Sequence, residues 1–281
     1  MMSEAPAETV ARIDRAAERR ATPCGGGRMV WRLWGEGPPL VLLHGAFGSW
    51  THWLRNVEGL ARHFRVIAPD MPGYGDSDEP PQPYSPESLA DLISAGLDAV
   101  LPPPAPFDLA GFSFGGIIAG HVAARQAARL RTLVLLGPNG MALPRGEAGA
   151  LRRLDPDMTP DEVAAVHRHN LGVLMIADPA RVDDLAVHLQ IENARRSRTK
   201  SGRIPESDSL LQALPAVRAR ICGLWGGRDA MALPFLDQRE AVLRRFRPDL
   251  DFRIVPGAGH WAPYEAPEAV NAALRDMLLP V

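Results

Sequence analysis

The sequence predicts an α/β protein, a mostly parallel sheet with helices on both faces. Three observations lead there. Short continuous apolar runs such as Leu40-Val41-Leu42-Leu43 and Leu133-Val134-Leu135-Leu136 read as strands covered on both faces. Helix-period segments alternate with those runs over most of the 281 residues. Where several of the runs stop, the next residues are glycine with Ser, Asp or His, the residue types that carry chemistry at strand ends.

Taken in order, residues 4–20 show helical spacing of Val10, Ile13 and Ala17. They are expected to form an N-terminal helix or arm over 1–24, ended by Gly25-Gly26-Gly27. Strands follow at 29–34, 40–43 and 64–68, with a helix over 50–62 between the last two and another near 86–100. Phe107-Asp108-Leu109-Ala110 is the next buried strand, and Ile117 to Ala124 continues as a helix. After a strand at 130–136 the alternation breaks. Residues 139–214 hold only helix-like segments, at 160–176 and 179–196, and are expected to be an inserted helical cap within a single domain spanning 1–281. Strands at 221–225 and 251–255 then alternate with helices near 234–246 and 266–279.

Composition narrows the partners. Hydrophobic content of 46% with 23% charged residues is that of a globular protein with a sizeable core. A formal net charge of -2 gives no electrostatic pull toward nucleic acid or an anionic membrane. Cys24 and Cys222 lack metal-ligand spacing and read as free thiols. The acidic N-terminus has no apolar core segment, so no signal peptide is expected, and no apolar run is long enough to span a membrane. The expectation is a cytoplasmic protein with a small-molecule substrate, compatible with a homo-oligomer.

The chemistry centres on Gly111-Phe112-Ser113-Phe114-Gly115, placed between a strand and a helix. That arrangement is a nucleophile elbow: the sharp turn exposes the serine, and the helix N-terminus favours a developing oxyanion. A serine nucleophile needs a base, and the base needs a carboxylate to fix its tautomer. Reading strand ends supplies both, Asp229 after the strand at 221–225 and His260 after the strand at 251–255. Of the other histidines, His44 heads the Gly turn after the strand at 40–43 and takes a structural role. His52, His63 and His121 fall on expected helices, and His167, His169 and His188 in the insertion. His167 and His169, two apart, would point to different faces of a helix, which argues against a metal site. Ser113, Asp229 and His260 call for no cofactor and no metal.

Four motifs stand in order: His44-Gly45-Ala46-Phe47-Gly48, Gly111-Phe112-Ser113-Phe114-Gly115, Gly227-Arg228-Asp229 and Gly259-His260. With them the chain resembles the serine-nucleophile, cap-bearing α/β-hydrolase superfamily over essentially its whole length. The resemblance implies an eight-stranded sheet with a cap inserted after the sixth strand. It implies oxyanion donors at the backbone N–H groups of Ala46 and Phe114, and a hydrolase of the carboxylesterase kind. Haloalkane dehalogenases and soluble epoxide hydrolases of the superfamily use aspartate where this chain has Ser113, which sets them aside.

The substrate side reads as apolar. Phe47, Trp50, Phe112, Phe114, Leu233 and Trp261 flank the motifs, and 171–176 adds an apolar patch from the insertion. Phe47, Phe112 and Trp261 are the candidate pocket residues, for a small ester or related carbonyl substrate with an apolar body. The His260-Trp261 pair is similar to carbon–carbon bond hydrolases of ring-fission diketo acids. The chain departs from their pattern at Phe47, Ser49 and Phe112. A non-catalytic ligand-binding member of the fold is the other alternative. Arg195, Arg196, Arg198, Lys200 and Arg203 form a basic run, read first as a solvated helix end and second as a carboxylate site.

Overall fold

The computed structural model describes residues 4–279. Helix α1 (Pro6–Arg15) leads into β1 (Glu18–Cys24), β2 (Gly27–Trp34), β3 (Pro39–Leu43), α2 (Leu54–Leu60) and β4 (Arg65–Pro69). Then come α3 (Pro86–Val100), β5 (Phe107–Phe112), α4 (Phe114–Arg125) and β6 (Leu130–Leu136). Helices α5 (Pro160–Leu174), α6 (Asp184–Arg195) and α7 (Ser209–Ala213) precede β7 (Arg220–Gly226). The chain closes with α8 (Leu236–Phe246), β8 (Asp251–Val255), α9 (Ala262–Glu265) and α10 (Pro267–Leu278).

The eight strands form one sheet in the order β1-β2-β4-β3-β5-β6-β7-β8. Strand β2 runs antiparallel to both β1 and β4, and the remaining pairs are parallel. Side chains alternate along each strand, so the continuous apolar runs feed two cores. Val41 and Leu43 pack on one face with Ile93 and Ile118, while Leu40 and Leu42 pack on the other with Val57 and Val270.

One expectation is corrected. Residues 18–24 are an edge strand rather than the continuation of an N-terminal helix or arm. Only Thr22 and Cys24 of that strand are buried, and Thr22 Oγ1 accepts the indole N–H of Trp31 at 2.8 Å. Arg19 and Arg20 keep it polar, and Pro23 is tolerated because an edge strand has an unpaired side.

The insertion lies between β6 and β7, as the broken alternation suggests. Its first helix starts at a capping box, in which Thr159 Oγ1 accepts the Glu162 N–H and Glu162 returns a bond to the Thr159 N–H. The second expected segment splits, because Pro179–Arg181 form a separate 3-10 turn and α6 begins after the Asp183 N-cap.

Candidate active site

The elbow explains its own composition. Ser113 has φ 52 and ψ −120, a left-handed backbone that few side chains adopt. A Cβ on Gly111 would lie 2.5 Å from the Gly115 carbonyl oxygen, and one on Gly115 would lie 2.3 Å from the His44 carbonyl oxygen. Glycine at both positions is what lets α4 turn straight back onto β5 and β3.

Three strand ends then converge. His260 Nε2 lies 2.9 Å from Ser113 Oγ, and His260 Nδ1 lies 2.9 Å from Asp229 Oδ2. The other oxygen of Asp229 accepts the Met231 N–H at 2.8 Å, which orients the carboxylate. Asp229 and His260 are both buried. A buried carboxylate on Nδ1–H leaves Nε2 as a lone pair facing the serine hydroxyl, a geometry able to take its proton.

Glu265 stabilises this turn, and nothing in the sequence pattern singled it out. Its buried carboxylate accepts the N–H groups of Gly259 at 2.7 Å, Ala177 at 3.0 Å and Asp178 at 2.8 Å. Trp261 N–H adds a bond to the Met175 carbonyl oxygen at 2.7 Å. The His260 turn and the insertion are therefore fastened together.

On the other side, His44 has the structural place expected of it. Its Nδ1–H donates to the Gly45 carbonyl oxygen at 2.8 Å, and Nε2 accepts the Met71 N–H at 2.9 Å. His52, read from sequence only as a helix residue, is buried and accepts the Gly45 N–H on Nδ1 at 3.1 Å. Burial pushes both imidazoles below their ordinary pKa, His52 strongly so, and keeps them neutral. With Gly45 thus engaged, the backbone N–H groups of Ala46 and Phe114 have no partner among the described residues.

A cavity of about 460 Å³ opens over Ser113 and His260. Ala46, Phe47, Phe112 and Phe114 line it, and Leu171, Leu174 and Met175 line it from the insertion. Phe47 is 49% exposed at the mouth and holds φ 51, a left-handed conformation unusual for an aromatic residue. Phe112 is buried with its ring 5.2 Å from that of His260.

Trp261 is a correction: it does not line the cavity. Its ring is 0% exposed, 4.4 Å from Tyr264, and its indole N–H donates to the His52 carbonyl oxygen at 2.9 Å. Sequence adjacency to His260 does not carry over to the same side of the turn. Trp50 and Leu233 also face elsewhere.

Three arginines of the basic run are committed as well. Arg195 pairs with Glu192 and Arg196 with Asp76, each at 2.8 Å, while Arg198 donates to the carbonyl oxygens of Gly75 and Ser77. Arg203 is 95% exposed and lies near Glu206.

A doubly covered sheet carrying Ser, Asp and His after β5, β7 and β8 defines an α/β hydrolase. A sequence profile of the alpha/beta hydrolase family matches residues 40–273, and the chain belongs to that family and is a hydrolase. It is 33% identical over 267 residues to the dihydrolipoyllysine-residue acetyltransferase component of an acetoin cleaving system from Pseudomonas putida, covering 90% of this chain and 67% of that protein. Over 114 residues it is 40% identical to 2-hydroxymuconate semialdehyde hydrolase of a Pseudomonas strain, covering 39% of this chain and 40% of that one. A thermophilic esterase from Thermogutta terrifontis superposes with TM-score 0.69 at 27% identity, over 93% of this chain and 98% of that one. No helix among the described residues is long and apolar enough to cross a membrane.

Proposed function

We propose that the protein is a serine esterase that works through an acyl-enzyme on Ser113. The observation that carries this is the hydrogen-bonded series Ser113 Oγ, His260, Asp229, with 2.9 Å at each step, opening onto a cavity lined in part by Phe47, Phe112, Leu171 and Leu174. Ser113 Oγ attacks the ester carbonyl carbon while its proton passes to His260 Nε2. The negative charge that forms on the carbonyl oxygen is met by the N–H groups of Ala46 and Phe114, and Phe114 also begins α4. The imidazolium, steadied by Asp229, gives its proton to the departing alcohol oxygen. Water then enters, loses a proton to His260 and releases the acid, restoring the serine.

In this reading Phe47 and Phe112 form the apolar wall, and residues 139–214 act as a cap that sets substrate size. Excluding water beneath the cap would strengthen the electrostatics around Ser113. Two buried, unbridged thiols fit a cytoplasmic setting. A chain-length panel of nitrophenyl esters tests the proposal: a burst of nitrophenol followed by steady turnover is expected, and no release from any ester would overturn it.

Carbon–carbon bond hydrolysis of a ring-fission diketo acid is the second reading, favoured by the 40% identity to a semialdehyde hydrolase. Phe47 and Phe112 at the cavity, and Trp261 away from it, weigh against that reading. Turnover of a vinylogous diketo acid faster than of any ester would reverse the order. A non-catalytic binder would release no nitrophenol at all.

A further inference from the structure

The cavity carries a charge that the ester chemistry does not use. Among the described residues lining it, Arg145 is the one Arg, Lys, Asp or Glu, and no carboxylate lines it. Arg195, Arg196 and Arg198 are spent on acids or carbonyls, and none of them lines the cavity. The guanidinium of Arg145 makes one hydrogen bond among the described residues, to the thioether of Met231 at 3.4 Å, and has no acidic partner there.

Arg145 is exposed, yet the backbone on either side of it is fixed. The buried Arg239 donates to the Pro144 carbonyl oxygen at 2.9 Å, and the Gly146 N–H donates to the Met231 carbonyl oxygen at 3.0 Å. Gly146 sits so close to the loop after Asp229 that a Cβ there would be 2.1 Å from the Ala230 carbonyl oxygen. The lining holds another uncommitted polar group, also from the insertion. His167, 7% exposed on α5, lines the cavity, and its ring makes no hydrogen bond among the described residues. Burial lowers its pKa, so it presents a neutral N–H rather than a second charge.

We infer that the insertion's side of the cavity is an anion subsite, with Arg145 pairing the free carboxylate of an acidic half-ester while Ser113 attacks its ester end. The inference rests on the esterase reading and names its substrate class: monoesters of dicarboxylic acids, with His167 donating a hydrogen bond to the same anionic end. An arginine offers two parallel N–H donors to a carboxylate, and the absence of lining acids removes any competitor.

The test compares monomethyl with dimethyl esters of dicarboxylic acids from four to ten carbons. The half-ester is expected to win in kcat/KM at one chain length by about tenfold or more, the size of a charge-assisted hydrogen bond. Arg145→Gln should remove that preference and leave the diester within about twofold, and Arg145→Lys should restore part of it. His167→Gln should retain the preference, and His167→Leu should lower it. Diesters favoured at every length, or equal losses for both substrates in Arg145→Gln, would overturn the subsite while leaving the esterase intact. If no ester is turned over, the esterase reading fails, and the subsite is judged by calorimetric binding of adipate to the Ser113→Ala protein. Binding that weakens about tenfold in the Ser113→Ala, Arg145→Gln double variant supports it, and unchanged or absent binding overturns it.

Discussion

The carboxylate of Glu265 accepts the N–H of Gly259 at 2.7 Å, one residue before the imidazole that meets Ser113. It also accepts the Ala177 and Asp178 N–H groups, so a single side chain fixes both the His260 turn and one edge of the insertion. Glu265→Ala leaves the buried Gly259 N–H unsatisfied at a cost of about 1–3 kcal/mol, while the less buried Ala177 and Asp178 N–H groups can turn to water. A lower urea midpoint is expected, together with a fall in kcat larger than any rise in KM. Unchanged stability would mean that water replaces the carboxylate at no cost.

Ser113→Ala should lower kcat on the order of 10⁶-fold, since losing the nucleophile of a serine hydrolase is that severe. Mass spectrometry after rapid quench should show an acyl adduct on the wild-type elbow peptide and none on the variant. Retention of more than a small fraction of turnover would move the nucleophile elsewhere.

Asp229→Asn keeps the shape of the side chain but removes the charge that steadies the imidazolium. Turnover roughly 10⁴-fold lower is expected, with the fold intact by circular dichroism. Full activity in the variant would show that another group orients His260.

The triple change Arg195, Arg196 and Arg198 to Gln should act on stability. Arg196 and Arg198 tie α6 to the 73–78 loop through Asp76, Gly75 and Ser77. Loss of a few tenths to about 1 kcal/mol per exposed contact is expected, with the ratio of kcat/KM for acidic over neutral esters unchanged. A drop confined to acidic substrates would return the run to the substrate.

Acid should weaken the fold before carboxylates titrate. Burial lowers the pKa of His44, His52, His121 and His167. Because the unfolded chain binds protons on these groups first, stability is full above the ordinary pKa of about 6.5 and falls as pH drops below it. Denaturant midpoints at pH 7.5 and 5.5 check the sign. His121→Gln, remote from Ser113 and bonded to Ser209, should flatten the slope.

What was legible in the sequence was local. The elbow and the Asp229 and His260 turns each lie within five residues of a strand end, so strand reading alone brings them to one edge of the sheet. Strand β1 was hidden because its charged first half is solvent-facing and its only inward residues are Thr22 and Cys24. Trp261 misled because neighbours on a tight turn point apart. Glu265 and Arg145 could not be found that way. Their places depend on contacts with 177 and 231, which no spacing within the chain announces.

The hydrogen bond between Ser113 and His260 joins residues 147 positions apart. During synthesis Ser113 therefore leaves the ribosome well ahead of His260, the group proposed to activate it. With the proposed roles, a nascent chain that ends before β8 has an elbow but no base and would not turn over esters. In that reading the first hydrolytic turnover would mark the arrival of β8 and the His260 turn.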